Sequence, residues 1–122
     1  MKYLTPLAPY VHWGLRASVA ATYFFHGSQK FPPTALAANV GLPIAVAWLV
    51  AFAEIGAALC LLGGAFTRDI VTRLGGLLVV TNMLGAILLV HASGWDYRTG
   101  GMEFQVLLLV VGFYFVVKGN DV

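Results

Sequence analysis

Residues 12–30 read HWGLRASVAATYFFHGSQK. Wound as a helix, at about 100° per residue, His12, Arg16, Tyr23, His26, Gly27 and Lys30 fall within roughly 60° of one direction. Leu15, Val19, Ala21 and Phe24 take the other directions. The segment is apolar enough for a bilayer but carries one polar stripe. Lipid cannot solvate such a stripe, so it must turn toward other protein. The rest of the chain is therefore expected to supply its partners.

Composition points the same way. Of the 122 residues, 60% are hydrophobic and 10% are charged. A soluble domain carries about 25% charged residues. Mean hydropathy is +0.86. With so few charges to cover a wet surface, the chain reads as one integral membrane domain. Net charge is +2, with no basic run and no basic patch interleaved with aromatics, so nucleic acid is not expected as a partner. Membrane lipids are. Cys60 is the single cysteine and excludes an intrachain disulfide or a CxxC pair. His12, His26 and His91 do not have metal-ligand spacing, so no metal is expected.

The start, MKYLTPLAPYVHWG, has Pro6 and Pro9 where a signal peptide needs an unbroken apolar region. Residues 1–9 are expected to form an interfacial lead-in. Four apolar segments follow, at about residues 10–30, 42–62, 70–91 and 102–117. Pro32 and Pro33 stop the first, and Gly63 and Gly64 end the second. Thr67 or Asp69 offers an N-cap for the third. Gly119 and Asn120 close the fourth. Each is close to the ~20 residues that a bilayer requires. Short links make successive helices antiparallel neighbours. The expected fold is all-α, an integral membrane up-down-up-down four-helix bundle. Lys2, Arg68, Arg73 and Lys118 lie on the side of the termini, against Lys30 and Arg98 on the other. That bias predicts a multi-pass protein of the inner (plasma) membrane with both termini cytoplasmic.

The in-membrane charges should find each other. Arg16 lies roughly 10 Å in from the cytoplasmic side and Glu54 roughly 13 Å in from the same side. An unpaired charge in hydrocarbon costs about 3 kcal/mol or more, so an Arg16–Glu54 ion pair is expected. Asn82 and Tyr114 lie in the same layer and complete the expected buried polar core. At the opposite interface His26, Lys30, His91 and Glu103 form a candidate ligand pocket.

Four ordered features carry a resemblance. They are Arg16, the segment Phe25-His26-Gly27-Ser28-Gln29-Lys30, Glu54 followed by Leu62-Gly63-Gly64-Ala65-Phe66-Thr67-Arg68, and the opening of the last helix, Gly100-Gly101-Met102-Glu103-Phe104. Over about residues 12–119 the chain resembles the DoxX family of small four-helix membrane proteins. The resemblance implies Arg16, His26, Lys30, Glu54 and Glu103 as the matching polar positions. It also implies an association with membrane redox assemblies, among them thiosulfate:quinone oxidoreductase.

Two functions fit this reading. The first is an accessory subunit of a larger membrane redox or energy-transducing complex, not catalytic on its own. It would pack against other membrane protein subunits or against copies of itself. The second is a quinone-binding redox subunit in which His26, Lys30 and Arg16 donate hydrogen bonds and Glu103 or Glu54 relays protons. No intrinsic cofactor is expected, and quinone is the candidate ligand. A small transporter is a third reading, and it would need an oligomer. The sequence assigns no catalytic residue.

Overall fold

The computed structural model describes residues 1–122, and it is all-helical, with no strand. Five α-helices follow in order: α1 (Val11–Ser28), α2 (Thr34–Val40), α3 (Ile44–Gly64), α4 (Asp69–Leu89) and α5 (Glu103–Lys118). A 3-10 helix, Lys2–Tyr10, precedes α1, and a short 3-10 turn, Tyr97–Thr99, precedes α5. Three features differ from the sequence reading. The connection after Pro33 carries α2, which ends at Gly41 in the left-handed conformation. The lead-in is an exposed 3-10 helix. Neither Thr67 nor Asp69 caps α4; Arg68 holds the cap position without a side-chain bond, and Asp69 opens the helix.

Both α3 and α4 are long and apolar enough to cross a membrane. At 21 residues each they span about 31 Å. The middle helix, α3, shows why the long helices pack. Ala47, Ala51, Ala57, Ala58 and Leu61 are all fully buried along one face. Small side chains let neighbouring backbones come close. The contact order follows the chain: α1 on α3, α3 on α4, and α4 on α5, while α1 and α5 barely touch.

Two adjacent glycines of α4 let both neighbouring helices come close. A Cβ on Gly76 would stand 2.7 Å from the Gly112 carbonyl oxygen of α5. One on Gly75 would stand 2.9 Å from Cys60 Cβ of α3. A single step in α4 thus seats the helix against both neighbours, and no larger residue fits at either position.

Val19, Ala20 and Tyr23 of α1 meet Leu61, Val79, Met83, Leu108 and Phe115 in one apolar core. Tyr23 anchors it by donating its hydroxyl to the Val79 carbonyl at 3.2 Å. On one side of this core the helices converge on a buried guanidinium. On the other they part around a hollow.

Candidate functional site

Arg16 is completely buried. Its Nε donates to His12 Nδ1 at 3.0 Å. Nη1 donates to the Leu61 carbonyl at 2.5 Å and to Thr72 Oγ1 at 3.1 Å. Nη2 reaches Asn120 Oδ1 at 3.0 Å and the Gly119 carbonyl at 3.5 Å. The Phe115 ring lies under the guanidinium, 4.8 Å from its carbon to the ring centroid, a favourable cation–π placement. One side chain therefore joins the start of α1 to the end of α3, the start of α4 and the segment after α5. Gly119, at φ 57°, turns the chain so that this segment folds back. Asn120 is held in turn by its Nδ2 on the Gly64 carbonyl and by its backbone N–H on Asp69 Oδ1. Arg73 binds Asp69 and the Val116 and Val117 carbonyls.

The expected Arg16–Glu54 ion pair is not made. Glu54 pairs instead with Lys30, Nζ to Oε2 at 2.8 Å. The two residues sit at different levels, Arg16 beside Leu61 and Glu54 beside Gly27, and side-chain direction widens the gap. Helical side chains lean toward their own helix's N-terminus. α1 and α3 run antiparallel, so Arg16 leans toward one end of the molecule and Glu54 toward the other. Gly27, not Arg16, lies level with Glu54; a Cβ there would meet Glu54 Cβ at 3.1 Å.

The hollow lies at the Glu54 end. It is a cavity of about 630 Å³ between α1, α3, α4 and α5, with α2 forming part of its wall. That volume is in the range of small-molecule sites. Its lining is mainly apolar, with Val46 and Val50 of α3 and Leu108 of α5 among the contributors. Polar residues in the lining include His26, Lys30, Glu54, Asn82, His91 and Gln105, with Asn39 and Thr81 beside them. The Lys30–Glu54 pair is shielded, with side chains 23% and 8% exposed. His91 Nδ1 is 2.8 Å from the Gly100 carbonyl, which can only accept, so the neutral ring carries its proton there. Nε2 then accepts from Gln105 Nε2 at 3.2 Å. Two buried polar atoms have no partner at all: Asn82 Nδ2 and Gln105 Oε1.

The structure thus brings His26, Lys30 and His91 into one cavity, together with Glu54 and Asn82, which the sequence had suggested for the Arg16 layer. Glu103 does not join them. Its Oε1 accepts from the Tyr97 backbone N–H at 3.0 Å and pins the 94–103 loop. Tyr114 is half-buried against Phe115 and makes no hydrogen bond within the chain, so it is not part of the Arg16 cluster's bonding. Gln105, Thr72 and Asn120 were missed. A glutamine inside the last apolar segment and an asparagine just after it were the available signals.

A helical protein with two spanning-length helices and an amphipathic hollow at one end is suited to life in a membrane. The DoxX family model matches residues 12–92, two thirds of the chain, and the protein belongs to the DoxX family. DoxX proteins are membrane-associated. No curated protein and no solved structure matches the chain.

Proposed function

We propose that α1, α3, α4 and α5 form an up-down-up-down transmembrane bundle whose cavity binds a quinone, and that the chain serves as a small subunit of a larger membrane redox assembly. The cavity carries this reading. It joins an apolar volume suited to a ring and tail with a polar cluster suited to a headgroup, and it lies where α1 and α5 part. An aromatic group, Phe31, Trp48 and Phe52, lies near the same end, with Phe31 to Trp48 centroids 5.8 Å apart. Such groups favour the membrane–water interface.

The donor set fits a quinone head. A bound quinone supplies two-electron, two-proton redox chemistry. The chain's own residues do the rest. Lys30 can donate to a carbonyl oxygen, and Glu54 and His91 Nε2 can accept protons. Lys30, more exposed than Glu54, links the cavity to water. No residue here carries electrons, so the reading requires a partner that does, and the accessory role follows. Both termini are placed in the cytoplasm by the lysine and arginine bias.

The test fills the hollow. A Cβ on Gly85, which lines the cavity, meets no atom within 4 Å. Gly85→Phe should therefore fold normally and block the ligand. The full chain in lipid nanodiscs is expected to be labelled by a photoreactive short-tail quinone at cavity residues, and Gly85→Phe should lose that labelling. Labelling spread evenly over the lipid-facing surface, or unaffected by Gly85→Phe, would refute quinone binding here.

A further inference from the structure

The loop between α4 and α5 is tied to itself by successive backbone bonds. The Met102 N–H donates to the Gly94 carbonyl at 3.0 Å, the Glu103 N–H to that of Trp95 at 3.0 Å, and the Gly101 N–H to that of Asp96 at 2.7 Å. Inside these rungs the Asp96 carboxylate caps the Tyr97–Thr99 turn by accepting from the Arg98 N–H at 2.9 Å. Gly100 then takes the left-handed conformation, φ 82°, which glycine adopts without steric cost. A Cβ on Gly101 would run into the Trp95 backbone. The Tyr97 N–H, at the start of the turn, is met by a side chain from the first residue of α5, Glu103 Oε1, at 3.0 Å.

The product of this closure is a fixed carbonyl beside the cavity. The Gly100 oxygen lies 2.8 Å from His91 Nδ1, and His91 is part of the cavity wall. A carbonyl only accepts, so the neutral ring keeps its one proton on Nδ1. Nε2 is then the basic nitrogen, with Gln105 Nε2 donating to it at 3.2 Å. Uptake of a proton at Nε2 makes both ring nitrogens donors. The Gly100 contact is unchanged by that event, because Nδ1 donates in both states. Gln105 answers with a turn of its soft terminal torsion, which sets Oε1 toward Nε2. The ring therefore changes charge without leaving its place. The other titratable groups of the cavity wall are Tyr23, His26, Lys30 and Glu54. Lys30 is paired with Glu54, and in the loop Arg98 is paired with Asp96.

We propose that Glu103 is a positioning residue for His91: by bracing the 94–103 loop it holds the imidazole proton on Nδ1 and leaves Nε2 as the ring position that takes up a proton. The source of that proton rests on the quinone-binding reading. It is a hydroxyl of the reduced ligand, whose O–H bond breaks as the N–H bond forms and whose electrons pass to the redox partner. The tautomer itself requires no ligand. Gly100, Gly101 and Glu103, grouped in the sequence, thus act together on one ring.

The test is nitrogen NMR of the full chain, carrying isotope-labelled histidine, in lipid nanodiscs without ligand. His91→Gln identifies the His91 signals. In mildly alkaline buffer the wild-type ring is expected to carry its proton on Nδ1 in about tenfold excess, an amount that one hydrogen bond supplies. Acidification should then add a proton at Nε2 while Nδ1 keeps its own. Glu103→Ala should cut the excess to below about threefold by removing that brace. Glu103→Gln, whose side-chain oxygen still accepts, should preserve it. Tyr97→Pro removes the N–H that Glu103 binds, at the first position of a 3-10 turn where proline fits, and should reproduce Glu103→Ala. A wild-type ring protonated on Nε2, or an even mixture, would overturn the inference and leave quinone labelling untouched. An unchanged excess in either Glu103→Ala or Tyr97→Pro would overturn the role of Glu103. Absence of quinone labelling would remove the proton's source, and the uptake step with it, even with the tautomer as expected.

Discussion

The two ends of this molecule treat buried polarity in opposite ways. At the Arg16 end a full charge is taken out of water with no carboxylate beside it. Five acceptors from α1, α3, α4 and the turn after α5 surround it instead. At the Glu54 end there is a formal ion pair, yet polar atoms around it go unmatched and the helices leave a void. The first arrangement is complete without a ligand. The second leaves two buried amide atoms unpaired. A buried charge whose hydrogen bonds are all met is accounted for by packing alone.

That contrast can be broken by substitution. The largest effect is expected at the complete end. Arg16→Leu strips donors from four segments and should lower stability by about 3 kcal/mol, read as chemical unfolding in detergent followed by circular dichroism. Gly76→Leu should cost about 2–3 kcal/mol by forcing α4 off α5. At the incomplete end the effect is smaller. Glu54→Gln should cost about 1 kcal/mol, because Lys30 is partly solvated. Lys30→Met with Glu54→Leu should restore most of that loss. If Glu54→Gln costs as much as Arg16→Leu, the two ends do not differ as described.

The smallest effect lies outside the helices. The Arg98 guanidinium, and then the Arg98 backbone N–H, hold the Asp96 carboxyl below the usual carboxylate range. A lowered folded-state value gives stability that is present above the unfolded value of about 3.9 and lost as pH falls through the folded one. Wild type and Asp96→Asn should therefore differ slightly in melting temperature at pH 6 and converge near pH 2. A gap that widens on acidification would reverse the sign.

The helical character of the chain was legible because apolar runs between proline and glycine stops leave little else to form. The polar positions on α1 were legible too, since a stripe on an apolar helix is visible from spacing alone. Pairing was not. Counting residues from the segment ends put Arg16 and Glu54 at one depth, but the packed register sets Glu54 level with Gly27 and Arg16 near Leu61, and the antiparallel lean of the two side chains widens the gap. Asn120 and Thr72 were hidden because they serve Arg16 as neutral acceptors, and sequence reasoning looks first for an opposite charge. Gln105 was hidden for a different reason. A lone glutamine in an apolar run was visible, but its contact with His91, fourteen residues earlier, depends on how the 94–103 loop folds back. The short helix α2 was hidden by its length, seven residues between a proline pair and a glycine.

Asn120 comes 104 residues after the guanidinium it helps to hold. During synthesis, Arg16 is made long before Asn120, Gly119 or Thr72 exists. His12 on its own helix is the first partner available to it, Leu61 and Thr72 follow, and the turn after α5 supplies the last two acceptors, closing the set like a clasp.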